Sequence, residues 1–342
     1  MKTTQKIAVS LILAVLMLLS VGSRFTVEAQ DFKSVKLVPI TGPGAAQPSD
    51  YRWRDVADNL YSNNYRANYE YSQAQVNVTF SKADQFFKGT LNASNLKPNF
   101  AYQLKLVGVP GTSPNEMLGL TGRWWQEEWS GTAWTNGQNL NDKGNGSSPN
   151  PNDGNYSARK SIIDTSSPTG LRYRYTGYLL FSYFITDSQG NATLDFETDS
   201  SYHVLWKISQ RNPTQDDGPL NTVTFDPNST QPAYHADYSS STVSIFGEWE
   251  RLPTGGVFLP PGNYSCELVL TEESFHGSGG TFAGNWAGAL KGNISFTINQ
   301  MPIPTVPFIP MGPIAAFASM IISLGITRTI SRKRKATRAT RV

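Results

Sequence analysis

Cysteine, histidine and charge are all scarce in this chain of 342 residues. The sequence contains one cysteine, three histidines and only 16% charged residues. A single cysteine excludes an intrachain disulfide, so the fold must depend on its apolar core, and a chain of this length can bury a sufficient one. We expect Cys266 to be a small buried apolar side chain, with an intermolecular disulfide as the alternative. His203, His235 and His276 lack metal-ligand spacing, so we expect neither a metal nor a cofactor.

The sequence also lacks the motifs of common enzyme sites, because no phosphate-binding loop, nucleophile elbow or dinucleotide fingerprint occurs in it. One polar segment could offer oxygen ligands to calcium, from Asn139, Asn141, Asp142, Asn152 and Asp153. It lacks the spaced Asp/Asn-then-Gly pattern of a calcium loop, which favours a solvated loop instead.

The N-terminus has the three-part layout of a secretory signal peptide. Two lysines precede an uncharged apolar run at 7–21, and small and polar residues follow it. Val27 and Ala29 fit a cleavage site before Gln30, so residues 1–29 are predicted to be the signal peptide. Cleavage near Ser23 and an uncleaved anchor helix are the alternatives, although the apolar run is short for a membrane span.

The C-terminus carries a second apolar segment, MGPIAAFASMIISLGIT at 311–327, followed by seven Lys/Arg residues and no acid. This length is near the lower limit for a transmembrane helix, and the cations mark the cytoplasmic side. We therefore expect a single-pass anchor in the cell membrane, with the body outside and the basic tail at 328–342 inside. Four prolines at 301–310 predict a stiff stalk. A nucleic-acid-binding tail is the competing interpretation.

The sequence pI of about 8.8 gives no support to nucleic-acid binding. Three cations lie before residue 30 and seven after residue 327, and without these the body of the chain is mildly acidic. We expect no nucleic-acid partner.

Eight Asn-X-Ser/Thr sequons lie in the predicted exported part, a modest excess over chance that agrees with a glycosylated cell surface. The candidate residues are Asn77, Asn92, Asn145, Asn155, Asn191, Asn228, Asn263 and Asn293.

Apolar residues of the body recur with a period of two, which is typical of strands. The pattern begins at 75–80 and 102–106 and continues at 177–186, 192–196, 202–208, 241–249, 264–271 and 292–298. No helical pattern of any length intervenes. The sequence therefore predicts an all-β fold, an antiparallel β-sandwich ectodomain followed by one C-terminal transmembrane helix. DSQGN at 187–191 is predicted to be a hairpin turn.

The domain prediction assigns residues 30–73 to an aromatic and polar extension with a short helix near 55–61. Residues 74–300 form the sandwich, with a Trp-rich and loop insertion at 120–175. Within this insertion, 136–170 is rich in Asn, Gly, Ser and Pro and reads as a long loop.

Two segments, LKPNFAYQLKL around Tyr102 and LPPGNYSCELVL around Tyr264, resemble the tyrosine-corner strand entry of fibronectin type III and immunoglobulin-like domains. The resemblance implies a sandwich in which each tyrosine hydroxyl ties the corner to nearby backbone. The order of proline-rich stretch, apolar helix and basic cluster at the C-terminus resembles archaeal surface proteins with sorting signals. No Pro-Glu-Phe or Pro-Gly-Phe motif is present, so a retained anchor is favoured over processing.

The segment GRWWQEEWSGTAW at 122–134 holds four of the eight tryptophans. Flat rings can stack on sugars, and exposed aromatic patches also mark protein interfaces. The predicted ligand-binding residues are accordingly Trp124, Trp125, Trp129 and Trp134. Packing in the core is the competing interpretation, since large aromatic residues dominate cores too. One or two of these rings are expected to pack inward.

Glu127 and Glu128 suggest glycoside hydrolysis, which commonly uses two carboxylates flanking the scissile bond. Adjacent strand residues point to opposite faces, so this pair cannot form the dyad. Catalytic residues are therefore not assigned. We expect an exported, membrane-anchored cell-surface protein with a structural or adhesive role that binds glycan or protein. A carbohydrate-active enzyme and a packing component of the envelope are the alternatives.

Overall fold

The computed structural model of the chain describes residues 31–41, 52–56, 59–135, 137–139, 153–197, 204–205, 221–224, 233–234, 242–247, 259–272 and 287–300. The predicted signal peptide, stalk, transmembrane helix and basic tail lie outside these residues. So do the three histidines and the sequons Asn145 and Asn228.

Fourteen strands are present among the described residues: β1 (Phe32–Pro39), β2 (Gln75–Ser81), β3 (Ala83–Asp84), β4 (Lys88–Ser94), β5 (Ala101–Val107), β6 (Arg123–Glu128), β7 (Gln138–Asn139), β8 (Tyr173–Ile185), β9 (Ala192–Glu197), β10 (Val204–Leu205), β11 (Asn221–Thr224), β12 (Thr242–Gly247), β13 (Gly262–Glu272) and β14 (Ala287–Ile298). The helices are α1 (Asn63–Asn68), α2 (Ser113–Thr121) and α3 (Asp153–Arg159), with a 3₁₀ turn at Tyr71–Gln73.

The fold is mostly antiparallel β-sheet with few helices, as the period of two predicts. Eleven strands form one sheet in the order β7-β6-β8-β5-β13-β14-β1-β2-β4-β9, and β3 adds to β14 in parallel. A small sheet has the order β10-β12-β11. No helix in the described part of the chain is long and apolar enough to cross a membrane.

Strand β1 corrects the predicted domain boundary at residue 73. It pairs with β2 from Phe32 to Leu37 and with β14 at Val38 and Pro39, so it lies inside the sheet. The residues that follow also enter the core, where Tyr61 and Tyr71 are buried. The described residues of 30–73 therefore belong to the β-structure and its core and not to an extension. The predicted insertion at 120–175 is corrected likewise, because β6 pairs with β8 in the main sheet.

The helices are the second correction. The described residues of 55–61, which are 55–56 and 59–61, form no helix. Arg54 and Leu60 form an isolated β-bridge, and α1 begins just after this segment, capped by the Ser62 hydroxyl. Helix α2 was not predicted, although the Thr112 side chain accepts the N–H of Asn115 as an N-cap and a proline occupies the first turn. Its short length and weak apolar periodicity explain the miss. Helix α3 lies within the predicted long loop.

One face of each of the strands β2, β4, β13 and β14 supplies a shared core. In β13, Tyr264, Cys266 and Leu268 are buried, as predicted, and burial raises the pKa of the Cys266 thiol to about 12. β5 departs from alternation, because Gln103 and Lys105 are buried as well as their apolar neighbours. This strand is central and covered on both faces.

Aromatic rings connect strands that lie far apart in the sheet order. Phe181 of β8 lies 5.2 Å from Phe196 of β9 between ring centroids, and Phe87 contacts both rings and Phe296 of β14. The sheet is thus folded over one apolar core. The turn at 187–191 forms as predicted, with Asp187 Oδ1 accepting two backbone N–H groups and Gly190 at φ +81°. It is not a hairpin, because β8 and β9 pair with other strands.

Both tyrosines of the predicted corners make the hydroxyl-to-backbone bond. The Tyr264 hydroxyl donates to the Pro260 carbonyl at 2.8 Å, and the Tyr102 hydroxyl accepts the N–H of Lys97 at 3.2 Å. Each bond fixes the entry into β13 or β5.

Candidate functional site

Strand β6 turns the tryptophan segment in two directions, because adjacent strand residues face opposite sides. Trp124 faces inward and is fully buried. Its ring stacks on Tyr156 of α3, its indole N–H donates to Asp153 Oδ1 at 2.8 Å, and Tyr175 of β8 packs edge-on against it. These contacts leave the Trp124 ring inaccessible to a ligand at the surface.

The other three predicted rings are half-buried. Trp125 packs on the backbone of Gly137, where an added Cβ would fall 1.7 Å from the indole nitrogen. The backbones of Trp129 and Trp134 form an isolated β-bridge, and their rings pack edge to face with centroids 5.4 Å apart. The Arg174 guanidinium lies 4.7 Å from the centre of the Trp134 ring. Part of each of these three rings remains at the surface, and we call Trp125, Trp129 and Trp134 the edge tryptophans.

Each of the two glutamates of β6 is held by an arginine at or just before the start of β8. Glu127 accepts two bonds of 2.7 Å from Arg174, and Glu128 accepts one of 2.8 Å from Arg172. Two parallel bonds make the first pair geometrically specific. These carboxylates therefore hold β6 against β8 and are engaged in ion pairs.

A surface cleft of about 440 Å³ lies on the Trp124 side of the sheet, which is within the size range of small-ligand sites. Its walls are the start of α2, the end of α3 and the start of β8. The lining includes Asn115, Glu116, Tyr156, Lys160, Tyr173 and Tyr175. We call this feature the tyrosine cleft.

Helix α2 forms one wall because a glycine lets it approach β8 closely. A Cβ at Gly177 would lie 2.1 Å from the carbonyl oxygen of Asn115 and 2.5 Å from the nitrogen of Gly119. The side chain of Asn115 spans the contact, accepting the N–H of Gly177 at 2.7 Å and donating to the Tyr175 carbonyl at 3.0 Å. The position of the wall is therefore set by backbone contact.

Two tyrosines of the cleft, Tyr156 and Tyr175, stay protonated at neutral pH. Burial raises the pKa of Tyr175 to about 12 and raises the pKa of Tyr156 as well. The Tyr175 hydroxyl donates to Gln126 Oε1 at 2.7 Å. Lys160 contacts Glu116 at 2.8 Å, and this hydrogen bond lowers the pKa of the carboxyl. The site thus offers the half-buried ring of Tyr173 beside the largely buried rings of Tyr156 and Tyr175, together with one paired acid and base.

This chemistry suits binding of a polyhydroxyl ligand. Ring faces can stack on sugar rings, while amide, hydroxyl and charged groups meet sugar hydroxyls. Among the described residues that line the cleft, Glu116 is the one carboxylate, whereas glycoside hydrolysis commonly uses two. The described part of the chain also holds no cluster of His, Cys, Asp or Glu that could bind a metal.

Sequence reasoning missed the three cleft tyrosines. Tyr173 and Tyr175 stand two apart in RYRY at 172–175, and this alternation could have extended the strand prediction that began at residue 177. Tyr156 gave no comparable signal, since it lies in a short helix within a polar segment.

Comparisons of the chain with protein-family models, with curated proteins and with solved structures found no match. The class is therefore defined by fold and site alone, as a mostly antiparallel β protein with an aromatic-walled surface cleft.

Proposed function

We propose that the chain is an exported, membrane-anchored cell-surface protein whose β-sandwich body binds glycan in the tyrosine cleft. The observation that carries the binding role is the aromatic wall of the cleft. The half-buried Tyr173 packs against a buried cluster of Trp124, Tyr156 and Tyr175, so the wall is rigid before a ligand arrives. Rigid aromatic surfaces lower the entropic cost of binding.

Export and anchoring are supported by the two ends of the sequence. An N-terminal signal-like segment precedes the body, and an apolar segment followed by cations ends it. The sandwich architecture is supported by the contacts of Phe87 with rings from three separate strands. A glycosylated surface is supported by the exposure of Asn77, Asn92, Asn155, Asn263 and Asn293, with Asn191 half-buried.

An adhesive role is favoured over hydrolysis. Glu127 and Glu128, the carboxylates that suggested an enzyme, are engaged by arginines, and the cleft offers Glu116 with its lysine partner. The remaining edge tryptophans, Trp125, Trp129 and Trp134, extend the proposal as a second contact surface for glycan or protein.

Glycan binding is tested with the full chain, purified in mild detergent and applied to a glycan array. The wild type is expected to be retained by a defined set of glycans, and Tyr173→Ala is expected to lose at least tenfold in affinity with unchanged folding. Tyr183→Ala, which removes a half-buried tyrosine elsewhere on β8, is the matched control and is expected to bind as the wild type. Release of free sugar from the retained glycans would show turnover, and it would reject the proposal that the protein binds glycan without cleaving it.

Anchoring has a separate test. Mass spectrometry of native membranes is expected to recover peptides from the basic tail at 328–342. Their absence, together with a processed C-terminus near the stalk, would instead support a sorting signal.

A further inference from the structure

Lys97 and Glu272 form an ion pair in the interior of the protein. Their side chains are in direct contact through Lys97 Nζ and Glu272 Oε1, and both are completely buried. Lys97 precedes β5 and Glu272 ends the neighbouring strand β13. Two opposite charges without water contact are unusual, because removing each from water costs several kcal/mol.

The surroundings of the pair are aromatic. Lys97 Nζ lies 4.6 Å from the ring centre of Trp53 and 4.4 Å from that of Phe100, and the Tyr71 ring is 5.7 Å away. Two donors aim at the carboxylate: the Tyr71 hydroxyl bonds Oε1 at 2.6 Å, and the backbone N–H of Arg52 bonds Oε2 at 2.7 Å. Amine and carboxyl are held together while both carboxyl oxygens are polarised.

We propose that Lys97 and Glu272 condense to an intramolecular isopeptide bond. The Lys97 ammonium first passes a proton to the Glu272 carboxylate, which gives a neutral amine beside a neutral acid. Lys97 Nζ then bonds to Glu272 Cδ, one Cδ–O bond breaks, and that oxygen leaves as water with protons supplied by the former ammonium. The product is a secondary amide, with no oxidant or other reactant consumed.

Three features of the site favour this step. Burial lowers the pKa of Lys97 to about 8, so an uncharged amine is accessible near neutral pH. The bonds from Tyr71 and Arg52 meet the oxygens on which negative charge develops as the amine adds to the carboxyl carbon. Condensation also replaces two buried charges with one neutral amide, which removes the desolvation cost of the pair.

The bond would tie the segment that enters β5 to the end of β13. A covalent brace of this kind is notable in a chain whose single cysteine cannot form an intrachain disulfide.

The test is tryptic peptide mapping of the full-length folded chain, produced in a host without N-glycosylation. Trypsin does not cleave at Lys97 because Pro98 follows, so the two residues fall in the peptides 89–105 and 252–291. We expect one joined species with the summed mass less one water. Fragmentation should place the link between Lys97 and Glu272. A digest of Lys97→Arg is the negative control, because this variant cannot form the link whether or not it folds.

The chain supplies an internal control in the same sheet. Lys291 and Glu267 also contact each other, at 2.6 Å, but both are partly exposed to solvent. This pair is expected to stay ionic, so trypsin should still cleave after Lys291. Recovery of 89–105 and 252–291 as separate peptides, from protein whose Cys266 is protected from alkylation, would overturn the proposal. A link to any carboxyl other than Glu272 would overturn it as well.

Discussion

Trp124 and Tyr156 stack face to face, with 3.8 Å between ring centroids and 13° between ring planes. The contact joins β6 to α3, and the bond from the Trp124 indole to Asp153 at 2.8 Å reinforces it. Trp124, which the sequence predicts to contact a ligand, instead supports the Tyr156 ring, which lines the cleft.

Replacing this support should damage both fold and site. Trp124→Ala is expected to lower the free energy of unfolding by about 3–5 kcal/mol, because it removes a large side chain from a packed interior. Equilibrium denaturation by urea measures the change. Trp125→Ala, the half-buried neighbour, is expected to cost less and to leave cleft binding intact. An equal loss in the two variants would contradict the assignment of inward and outward rings.

Gly177 should tolerate no side chain. In Gly177→Ala the methyl group meets backbone atoms of Asn115 and Gly119, which cannot swing away, so a loss of about 1–3 kcal/mol or more is expected. The control is Gly154→Ala in α3, where nothing lies within 4 Å of the added Cβ. Since alanine is the better helix former, this variant should match or slightly exceed the wild type. Thermal unfolding of the two proteins makes the comparison.

The Tyr264 corner should contribute one hydrogen bond. Tyr264→Phe keeps the ring on Phe296 but removes the bond to the Pro260 carbonyl, and a loss of about 1 kcal/mol is expected. Tyr102→Phe should cost more, because its hydroxyl contacts both the Lys97 N–H and the Tyr71 hydroxyl in a fully buried site. Chemical denaturation of both variants measures the two losses. A larger loss of stability in Tyr264→Phe than in Tyr102→Phe would contradict the prediction.

The buried tyrosines should make the protein sensitive to alkali. Burial raises the pKa of Tyr61, Tyr65, Tyr69, Tyr71 and Tyr102 above the ordinary value of 10. Unfolded tyrosines lose protons near pH 10 while the folded ones keep theirs, so this stability is complete below that pH and declines above it. Each group contributes a slope of up to about 1.4 kcal/mol per pH unit.

Tyrosinate absorbance and denaturant midpoints, followed upward from pH 10.5, measure this decline. In molecules whose Lys97 is still a free amine, burial lowers the pKa of Lys97 to about 8 from 10.5, so the free energy of unfolding rises with pH between these two values, below the window of the tyrosines. Gradual tyrosinate formation without loss of folded structure would contradict the expected coupling.

Local pattern predicted the strands well but their partners poorly. Alternation located β2, β5 and β13 to within about two residues, because one face of each strand enters the core. The strand β1 escaped since FKSVKLVP alternates only in its second half and its first residues are exposed. Its place beside β14 is a long-range contact that no local pattern encodes.

The candidate site was likewise predicted in its local features but not in its long-range contacts. Sequence identified the tryptophan segment and, from strand geometry, the divergence of Glu127 and Glu128. It could not place Tyr156 against Trp124, because that contact joins residues 32 apart through a helix in a polar segment. Nor could it find Lys97 beside Glu272, which are 175 positions apart and are brought together only by the pairing of β5 with β13.

The pairing of Val38 with Lys291 also sets an order of events during biosynthesis. A strand at the start of the chain waits for a partner that is synthesised some 250 residues later, and contacts of such separation close slowly. Until β14 emerges, β1 has only β2 to bind and one of its edges is unpaired. The nascent chain therefore reaches its native sheet late, and it needs protection from aggregation during that interval.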